Sequence, residues 1–404
     1  MTKSLILIRG LASFLVLVTT IHLSGDETSR GDEIVLGMST ALSGPAMDLG
    51  MNMRAGVLAA LSEANRAGGI MGRPLRLVSL DDAYEPARTI PNMRLLVDDP
   101  RVLAMIGNVG TPTAVAAILI AVDAKMPFYG AFTGAGVLRT SPPDRYVINY
   151  RASYAEEISS MVDALVDKGK LAPNEIAFFT QRDAYGDACF AGGIAALKRH
   201  GLKDEYRVPH VRYERNSIAV EKAVGDLLLL QTPPRAVIMV GAYKACGAFI
   251  KLARQNELDA ILLNVSFVGS ELLAKASGDG GEGTIITQTV PHYEADLPIA
   301  REYLAALAQL DPKPSPTFGS MEGYVSTRLL LTAMRKKSTK LTREGIVTAL
   351  EQVGKVDLGL GVPLELSSTE HQASHAVWPT VIRNHRVVPL RWDELTGRQE
   401  AQRD

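Results

Sequence analysis

The fold is decided by residues 34–80, which read IVLGMSTALSGPAMDLGMNMRAGVLAALSEANRAGGIMGRPLRLVSL. The short apolar run 34–42 ends in turn residues and predicts a β-strand. Residues 47–66 carry apolar side chains at helical spacing, and the pair Gly68-Gly69 predicts the end of that helix. A second short apolar run, 75–80, predicts another strand. The order strand, helix, strand is the unit from which parallel sheets are built.

The same unit recurs further along the chain. Each short apolar run is followed by a longer segment with helical spacing. Parallel strands are covered on both faces, which explains the uninterrupted apolar runs 237–240 and 261–263. The sequence therefore predicts an α/β fold with parallel sheets. The further strand and helix pairs are 102–106 with 113–125, 176–179 with 187–199, and 236–240 with 243–255.

Length and two junctions predict two lobes. A chain of 404 residues exceeds one ordinary domain of about 100 to 200 residues. The crossover 149–152 joins two series of strand and helix units, which predicts a hinge, and a second hinge is expected near Val290-Pro291. We expect one lobe from residues 31–150 and 291–364, the other from 151–290 and 365–392, and a C-terminal tail from 393–404.

Composition excludes several classes of protein. Hydrophobic residues make up 47% of the chain and charged residues 22%, which disfavours a disordered, collagen-like or multispan membrane protein. The 43 Lys and Arg residues against 44 Asp and Glu give a net charge of -1. Because the chain lacks a basic excess, we expect no nucleic-acid partner.

The N-terminus has the layout of a secretory signal peptide. Lys3 comes before an apolar stretch, and the run 11–23 forms its main apolar part. Arg9 interrupts the stretch of about 20 apolar residues that a membrane-spanning helix needs, although an uncleaved N-terminal anchor stays an alternative. We expect residues 1–30 to be the signal peptide and the mature protein to be periplasmic.

Hydroxyl-bearing and aromatic residues follow the strands of both halves. Ligands of open α/β sheets bind beyond the carboxyl ends of the strands, beside helix N-termini. In the first half Ser43, Thr111 and Thr133 offer hydroxyl donors to a ligand carboxylate, unless they are ordinary helix caps. The second half offers rings for an apolar group and an acid for an ammonium, unless these are core rings and a helix-dipole residue. These second-half candidates are Tyr154, Tyr185, Tyr243 and Glu271.

No arrangement of residues in the sequence predicts catalysis. The chain has neither a G-x-S-x-G elbow nor a phosphate-binding loop. His371 and His375 have the spacing of a zinc helix, but Gln372 stands where the catalytic version has Glu. We therefore expect a protein that is not an enzyme and has no metal or cofactor. Cys189 and Cys246 either pair with each other in an oxidising compartment or pack as buried thiols.

Several landmarks occur in an order that identifies a family. They are Leu42-Ser43-Gly44-Pro45, residues 65–74 with their glycines, Asp81-Asp82, Ile106-Gly107 followed by Thr111-Pro112-Thr113, and Asp183-Ala184-Tyr185-Gly186. With them, residues 34–392 resemble the type I periplasmic binding proteins. The more specific resemblance is to the substrate-binding components of branched-chain amino-acid-type ABC transporters, the leucine/isoleucine/valine-binding protein family. It implies two Rossmann-like lobes with parallel sheets, joined by a three-strand hinge, that close on a ligand.

The resemblance also implies roles for individual residues. The first-lobe set that would hold the carboxylate end of the ligand is Ser43, Thr111, Phe132, Thr133 and Gly134. The second-lobe set that would close on it is Tyr154, Tyr185, Tyr243 and Glu271. In amino-acid-binding members an acid in the region of Glu271 holds the ligand ammonium. The segment Phe132-Thr133-Gly134 departs from the small-residue run of those members and looks like the branch that takes aromatic or other organic acids.

The implied function is that of a solute-binding protein without enzymatic activity. It would capture an amino acid or a small organic carboxylate, aromatic ones included, and deliver it to the permease subunits of an ABC transporter. We expect it to act as a monomer. The alternative is a periplasmic sensor that presents its closed form to a signalling partner. The choice between an amino acid and another organic acid stays open at this point.

Overall fold

The computed structural model of the protein describes residues 33–336 and 340–398. The predicted signal peptide, residues 1–30, and the end of the predicted tail lie outside this part of the chain. Within it, short buried strands alternate with longer helices, as the sequence predicts. The strands form two main sheets, which we call sheet I and sheet II.

Sheet I is built from the first part of the chain and is wholly parallel. Its strands are β1 Ile34–Thr40, β2 Leu75–Asp81, β3 Val102–Ile106, β4 Phe128–Tyr129 and β5 Val147–Ile148. They lie side by side in the order β2-β1-β3-β4-β5. Strand β1 is paired on both edges and buried at every position, which is why its sequence is almost continuously apolar.

Sheet II is mainly parallel but gains an antiparallel edge. Its parallel strands are β6 Ile176–Gln181, β7 His210–Tyr213, β8 Ala236–Val240, β9 Ile261–Asn264 and β10 Ile285–Gln288. Strands β11 Gly354–Val356 and β12 Leu364–Leu366 form a separate two-stranded ribbon, and β13 Trp378–Arg383 and β14 Arg386–Pro389 complete sheet II. The last two strands pair antiparallel, because Asn384 and His385 adopt the positive φ angles of a tight hairpin turn.

The helices lie against both sheets. They are α1 Met47–Arg66, α2 Pro86–Asp98, α3 Thr111–Asp123, α4 Tyr154–Asp163, α5 Ala184–Arg199, α6 Glu221–Leu228, α7 Tyr243–Gln255, α8 Ser270–Ser277, α9 Pro298–Leu307, α10 Phe318–Met334, α11 Arg343–Glu351 and α12 Glu394–Arg398. Helix α4 ends at Asp163 and the chain continues as a π-helical turn, Ala164–Lys168. No described helix is both long enough and apolar enough to cross a membrane.

The described chain passes between the two sheets three times. The first connection follows β5 at Asn149, where the sequence predicts a hinge. The second runs from β10 to α9, which packs against α1 on the side of sheet I, and the third leads from β12 into β13. The first and third connections pair, since the amide of Asn149 donates to His371 O at 2.7 Å and that of Ser374 to Tyr150 O at 2.8 Å. The two-lobed α/β fold is thus confirmed, whereas the lobe boundaries stay predictions.

The two cysteines lie in the lobe of sheet II. Cys189 is on α5 and Cys246 on α7, and both are buried free thiols. Burial raises the pKa of each thiol, so both are protonated at neutral pH and pack as small apolar side chains. Of the two alternatives that the sequence leaves open, the structure has the unpaired one.

Candidate functional site

Five aromatic side chains meet between the lobes. Phe267 is central: its ring centroid lies 5.9 Å from that of Tyr84 and 5.4 Å from that of Phe132, which both follow strands of sheet I. On the other side it lies 4.8 Å from the ring of Tyr185, at the start of α5. Tyr154, at the start of α4, lies 5.2 Å from Tyr185. All five are buried, and we call these five residues the ring cluster.

A fully buried arginine lies beside the ring cluster. The guanidinium carbon of Arg151 is 4.9 Å from the ring centroid of Phe132 and 5.8 Å from that of Tyr154. Its Nη2 is 3.2 Å from Glu157 and its Nη1 is 3.6 Å from Glu322. Burial opposes the charge, but the two glutamates hold the pKa of Arg151 above its usual value. The group is therefore a buried cation in contact with aromatic faces.

Several buried polar atoms around this arginine have no hydrogen-bond partner within residues 33–336 and 340–398. They are Nε and Nη1 of Arg151 and the hydroxyls of Tyr154 and Tyr185. Burial raises the pKa of both tyrosines, so their hydroxyls are neutral. The nearby Thr133 hydroxyl acts to lower the pKa of Tyr154, although the two hydroxyls do not form a hydrogen bond. Because buried polar groups are normally paired, these atoms are candidates for contacts with a ligand.

The predicted first-lobe residues next to the ring cluster are packed closely together. The hydroxyls of Thr111 and Thr133 lie 2.6 Å apart. The carbonyl of Gly134 accepts a hydrogen bond from the amide of Tyr154 at 2.8 Å. A Cβ on Gly134 would lie 2.6 Å from that amide nitrogen, so only glycine permits this approach of the two lobes. The structure thus brings together Thr111, Phe132, Thr133, Gly134, Tyr154 and Tyr185.

Ser43 is engaged by a carboxylate of its own lobe. Its hydroxyl donates to Asp81 Oδ2 at 2.6 Å and its amide donates to Asp81 Oδ1 at 3.1 Å. Burial of Asp81 works against ionisation, but the Ser43 hydroxyl and the amides of Leu42 and Ala83 lower the pKa of Asp81 to about 2. Both donors of Ser43 therefore serve a charged neighbour, and its contact with a ligand stays a prediction.

Tyr243 joins the lobes at a different place from the ring cluster. Its hydroxyl lies 2.5 Å from a carboxylate oxygen of Asp48 and 3.0 Å from the carbonyl of Pro45. Burial and the neighbouring Asp48 raise the pKa of Tyr243, so the hydroxyl is a hydrogen-bond donor across the interface. This contact stabilises the closed arrangement directly, and a ligand contact of Tyr243 stays a prediction.

Glu271 reaches the N-terminus of a helix that packs on the other lobe. Its Oε1 accepts a hydrogen bond from the amide of Phe318, the first residue of α10, at 3.0 Å. The residue is half-buried, and burial of the carboxyl raises its pKa to about 7, although the amide of Phe318 and the hydroxyl of Tyr293 act in the opposite direction. The carboxylate already serves a helix end, and the ammonium-binding role stays a prediction.

Tyr84, a member of the ring cluster, has a left-handed backbone conformation. Ala83 and Tyr84 have φ angles of 51° and 63°, a left-handed conformation that costs about 1–2 kcal/mol per non-glycine residue. Two carboxylates stabilise it: Asp81 accepts from the amide of Ala83 and Asp82 from that of Tyr84, each at 2.9 Å. The side-chain amide of Gln181, in the other lobe, donates to the Tyr84 hydroxyl at 3.1 Å. Strained residues of this kind cluster at functional sites.

Two site residues, Tyr84 and Arg151, were missed by the sequence reasoning. Each stands beside a feature that the sequence does show. Tyr84 follows the landmark Asp81-Asp82, and Arg151 is the charged residue inside the predicted hinge 149–152. A charge in a crossover between buried strands is itself a signal, since such a charge is buried only when it is paired.

Further contacts between the lobes lie at the edge of the site. Arg215 bridges them, with Nη2 2.8 Å from Glu85 and Nη1 3.2 Å from Asp183. The side-chain amide of Asn216 also donates to Glu85, at 2.6 Å. These contacts, together with that of Tyr243, show a closed arrangement of the two lobes.

Two cavities lie away from the ring cluster. One of about 790 Å³ is lined by α4 and the C-terminal segment, including Ser160 and Trp392. Another of about 800 Å³ is lined by α5 and the edge of sheet II, including Phe190 and His210. At the ring cluster itself the rings of the two lobes touch, so a ligand reaches it only when the lobes separate.

The two histidines with zinc-like spacing lie in the third connection and not on a helix. Nδ1 of His371 is 3.0 Å from the carbonyl of Val147, whereas Nδ1 of His375 is 2.6 Å from Glu156. Across the part of the chain that the structure describes, no three metal-ligating side chains converge on one point.

Comparison with known proteins gives the family. Residues 33–386 match the family described as periplasmic binding protein, whose members are solute-binding proteins and not enzymes. The crystal structure of a "possible leucine/isoleucine/valine-binding protein" from Rhodopirellula baltica SH 1 is 50% identical, with a TM-score of 0.88, and the match covers 92% of this chain and 100% of that one. A substrate-binding periplasmic protein from Ralstonia solanacearum is 28% identical with a TM-score of 0.81, covering 89% and 100%. The Leu/Ile/Val-binding protein homolog 7 of Brucella abortus (strain 2308) is 23% identical, covering 89% of this chain and 92% of that protein. The chain therefore belongs to the periplasmic binding protein family.

Proposed function

We propose that the protein captures a small carboxylate between its lobes in the periplasm. It then delivers this ligand to the permease of an ABC transporter. The ligand is an amino acid or another organic acid, aromatic acids included. Support comes from the similar proteins of Rhodopirellula and Brucella, which are named a "possible leucine/isoleucine/valine-binding protein" and a "Leu/Ile/Val-binding protein homolog 7". The observation that carries the proposal is the set of buried atoms on Arg151, Tyr154 and Tyr185 beside the ring cluster that have no hydrogen-bond partner among the described residues.

Closure of the two lobes depends on whether a ligand is bound between them. The ring cluster draws Tyr84 and Phe132 from one lobe and Tyr154, Tyr185 and Phe267 from the other. A ligand held among these residues contacts both lobes only in the closed form. Its binding therefore shifts the population toward the closed form by its differential affinity for the two states. A permease that docks on both lobes can recognise that form.

A thermal-shift screen of the mature chain, residues 31–404, tests the binding function. The panel contains L-leucine, L-isoleucine, L-phenylalanine, phenylacetate, benzoate and succinate. A ligand at 100 times its dissociation constant stabilises the folded state by about 2.7 kcal/mol, so we expect a clear rise in Tm with at least one carboxylate, confirmed by calorimetry. If no carboxylate raises the Tm, the binding function is wrong.

Delivery is tested separately from binding. We expect uptake of the ligand found in the screen to fall in cells that lack this protein and to return when the protein is restored. If binding is measurable but uptake is unchanged, the protein does not serve a permease. That result would favour the alternative, a sensor that presents its closed form to a signalling partner.

A further inference from the structure

We propose that Arg151 is the anchor of the ligand carboxylate and that the ring cluster around it selects an aromatic acid. The proposal rests on the function proposed above and names the ligand class and the residue that recognises it. Arg151 was not among the residues that the sequence assigns to carboxylate binding, which are hydroxyl and main-chain donors of the first lobe. Its position and surroundings carry the assignment.

Arg151 stands where a ligand group would touch both lobes. It lies in the first connection, between β5 and α4. Its guanidinium pairs with Glu157 of α4 and with Glu322 of α10, the helix that packs on α1. Nε and Nη1 nevertheless lack a hydrogen-bond partner within the described residues. A carboxylate supplies the oxygen acceptors that such donors need, and arginine is the residue best suited to recognise it.

The glutamates beside Arg151 are themselves well supplied with donors. Glu157 accepts from the amide of Ser266 at 2.8 Å, from the Ser266 hydroxyl at 2.9 Å and from Thr287 at 2.6 Å. Glu322 accepts from the Thr289 hydroxyl at 2.7 Å and lies 3.6 Å from Nη1 of Arg151, beyond hydrogen-bond distance. Neither glutamate therefore uses all the donors of the guanidinium, and both keep other partners when it binds a ligand.

A second arginine adds positive charge next to the site. Arg139 donates to the carbonyl of Arg151 at 3.0 Å, to that of Ala135 at 3.0 Å and to the side chain of Gln372 at 2.6 Å. These acceptors are neutral. Burial and the neighbouring Arg151 lower the pKa of Arg139 to about 10, so it is still charged at neutral pH. Its positive charge stands beside a group, Arg151 with Glu157 and Glu322, that already contains two carboxyl groups.

The rings explain why the acid should be aromatic. Phe132 and Tyr154 present their faces to the guanidinium of Arg151, so a carboxylate bound there carries the rest of the ligand against the same rings. Aromatic rings attract one another beyond the effect of buried area. The hydroxyls of Tyr154 and Tyr185, unpartnered within the described chain, can donate to the same carboxylate.

A matched pair of probes tests the assignment on the unmodified protein. Phenylacetate and phenylacetamide have nearly the same shape, but only the first carries a charge. We expect calorimetry on the mature chain to show phenylacetate binding at least 10-fold more tightly than phenylacetamide, because the amide cannot form the ion pair with Arg151. We also expect phenylacetate to bind more tightly than L-leucine.

The variant Arg151→Lys keeps the charge that Glu157 needs but loses the planar guanidinium. We expect phenylacetate affinity to fall at least 10-fold and phenylacetamide affinity to change little, with an unaltered near-ultraviolet circular dichroism spectrum. The control is Arg343→Lys, since Arg343 donates to the carbonyls of Val97 and Val102 on the outside of the first lobe. This control should bind both probes as the unmodified protein does. If Arg151→Lys fails to fold, equal affinity of the two probes for the unmodified protein still overturns the anchor.

The outcomes separate this proposal from the proposed function. Equal affinity for phenylacetate and phenylacetamide would overturn the anchor. So would tight binding of L-leucine that Arg151→Lys leaves unchanged, and in that case the capture of solutes would still stand. If none of the carboxylates in the screen binds, both proposals are wrong.

Discussion

Replacing Tyr185 by phenylalanine should stabilise the protein and weaken its hold on a ligand. The side chain is 0% exposed, and its hydroxyl has no hydrogen-bond partner within residues 33–336 and 340–398. A buried polar group left unsatisfied costs about 1–3 kcal/mol. Phenylalanine removes that group and keeps the ring contacts with Tyr154 and Phe267. We therefore expect the free energy of unfolding to rise by about 1 kcal/mol.

Tyr213→Phe is the matched control. Tyr213 is equally a buried tyrosine of the sheet II lobe, but its hydroxyl donates to Gln181 Oε1 at 3.0 Å and accepts from the amide of Ala242 at 3.0 Å. Its removal leaves both partners unsatisfied. We expect this substitution to lower the free energy of unfolding by about 1–3 kcal/mol, the opposite sign to that of Tyr185→Phe.

The measurement is urea unfolding of both variants and the unmodified protein without ligand, followed by calorimetry with the ligand found in the screen. A hydrogen bond from Tyr185 to a charged ligand is worth about 1.5–3 kcal/mol, so the affinity should fall by about 10-fold or more. If Tyr185→Phe destabilises the protein as much as Tyr213→Phe does, the hydroxyl has a structural partner. The inference from unpartnered atoms to ligand contacts would then be wrong.

Two further predictions concern the contacts at the edge of the site. Glu271→Gln should flatten the pH dependence of stability: because the folded-state pKa is raised from 4.5 to about 7, stability is fully present below pH 4.5 and is lost as the pH rises through 7, by an amount on the order of 2 kcal/mol. Urea midpoints at pH 5 and pH 8 test this. An equal change in midpoint between the two pH values for the variant and the unmodified protein would contradict it. Arg215→Met should lower ligand affinity by about 3-fold at low salt, since its ion pair with Glu85 is partly exposed and such pairs are worth about 0–1 kcal/mol. The difference should disappear in 1 M salt, and a difference that persists there would assign Arg215 another role.

The regular part of the fold could be predicted because the central strands, such as β1, β6 and β8, are buried at every position. The strand predicted over 236–240 and the helix over 243–255 have those bounds in the structure. The helix predicted to begin at 187 begins at Ala184 instead, because Asp183 accepts from the amide of Tyr185 and caps it. The antiparallel edge of sheet II was not predicted, since strand pairing depends on partners that are remote in sequence.

The candidate site was predictable to the extent that it follows from position at strand ends. Thr111, Thr133 and Tyr185 stand just beyond strands or at helix starts, and the structure packs them at the interface between the lobes. The local sequence does not indicate that the Ser43 hydroxyl donates to Asp81. Nor does it indicate that Glu271 accepts a hydrogen bond from the amide of Phe318. Those partners come from other segments, and only the fold brings them together.

The contacts within the ring cluster also bear on the choice between ligand classes. In the closed form Phe267 touches Tyr84 and Phe132 of the other lobe, and each such ring pair is worth about 0.5–1.5 kcal/mol beyond buried area. A ligand that enters between the lobes replaces these contacts, so its affinity is the difference between the contacts it makes and those it displaces. An aromatic ring restores contacts of the same kind, whereas an aliphatic side chain restores only buried area. If Arg151 anchors the ligand as we propose, we therefore expect an aromatic acid to bind more tightly than leucine, isoleucine or valine.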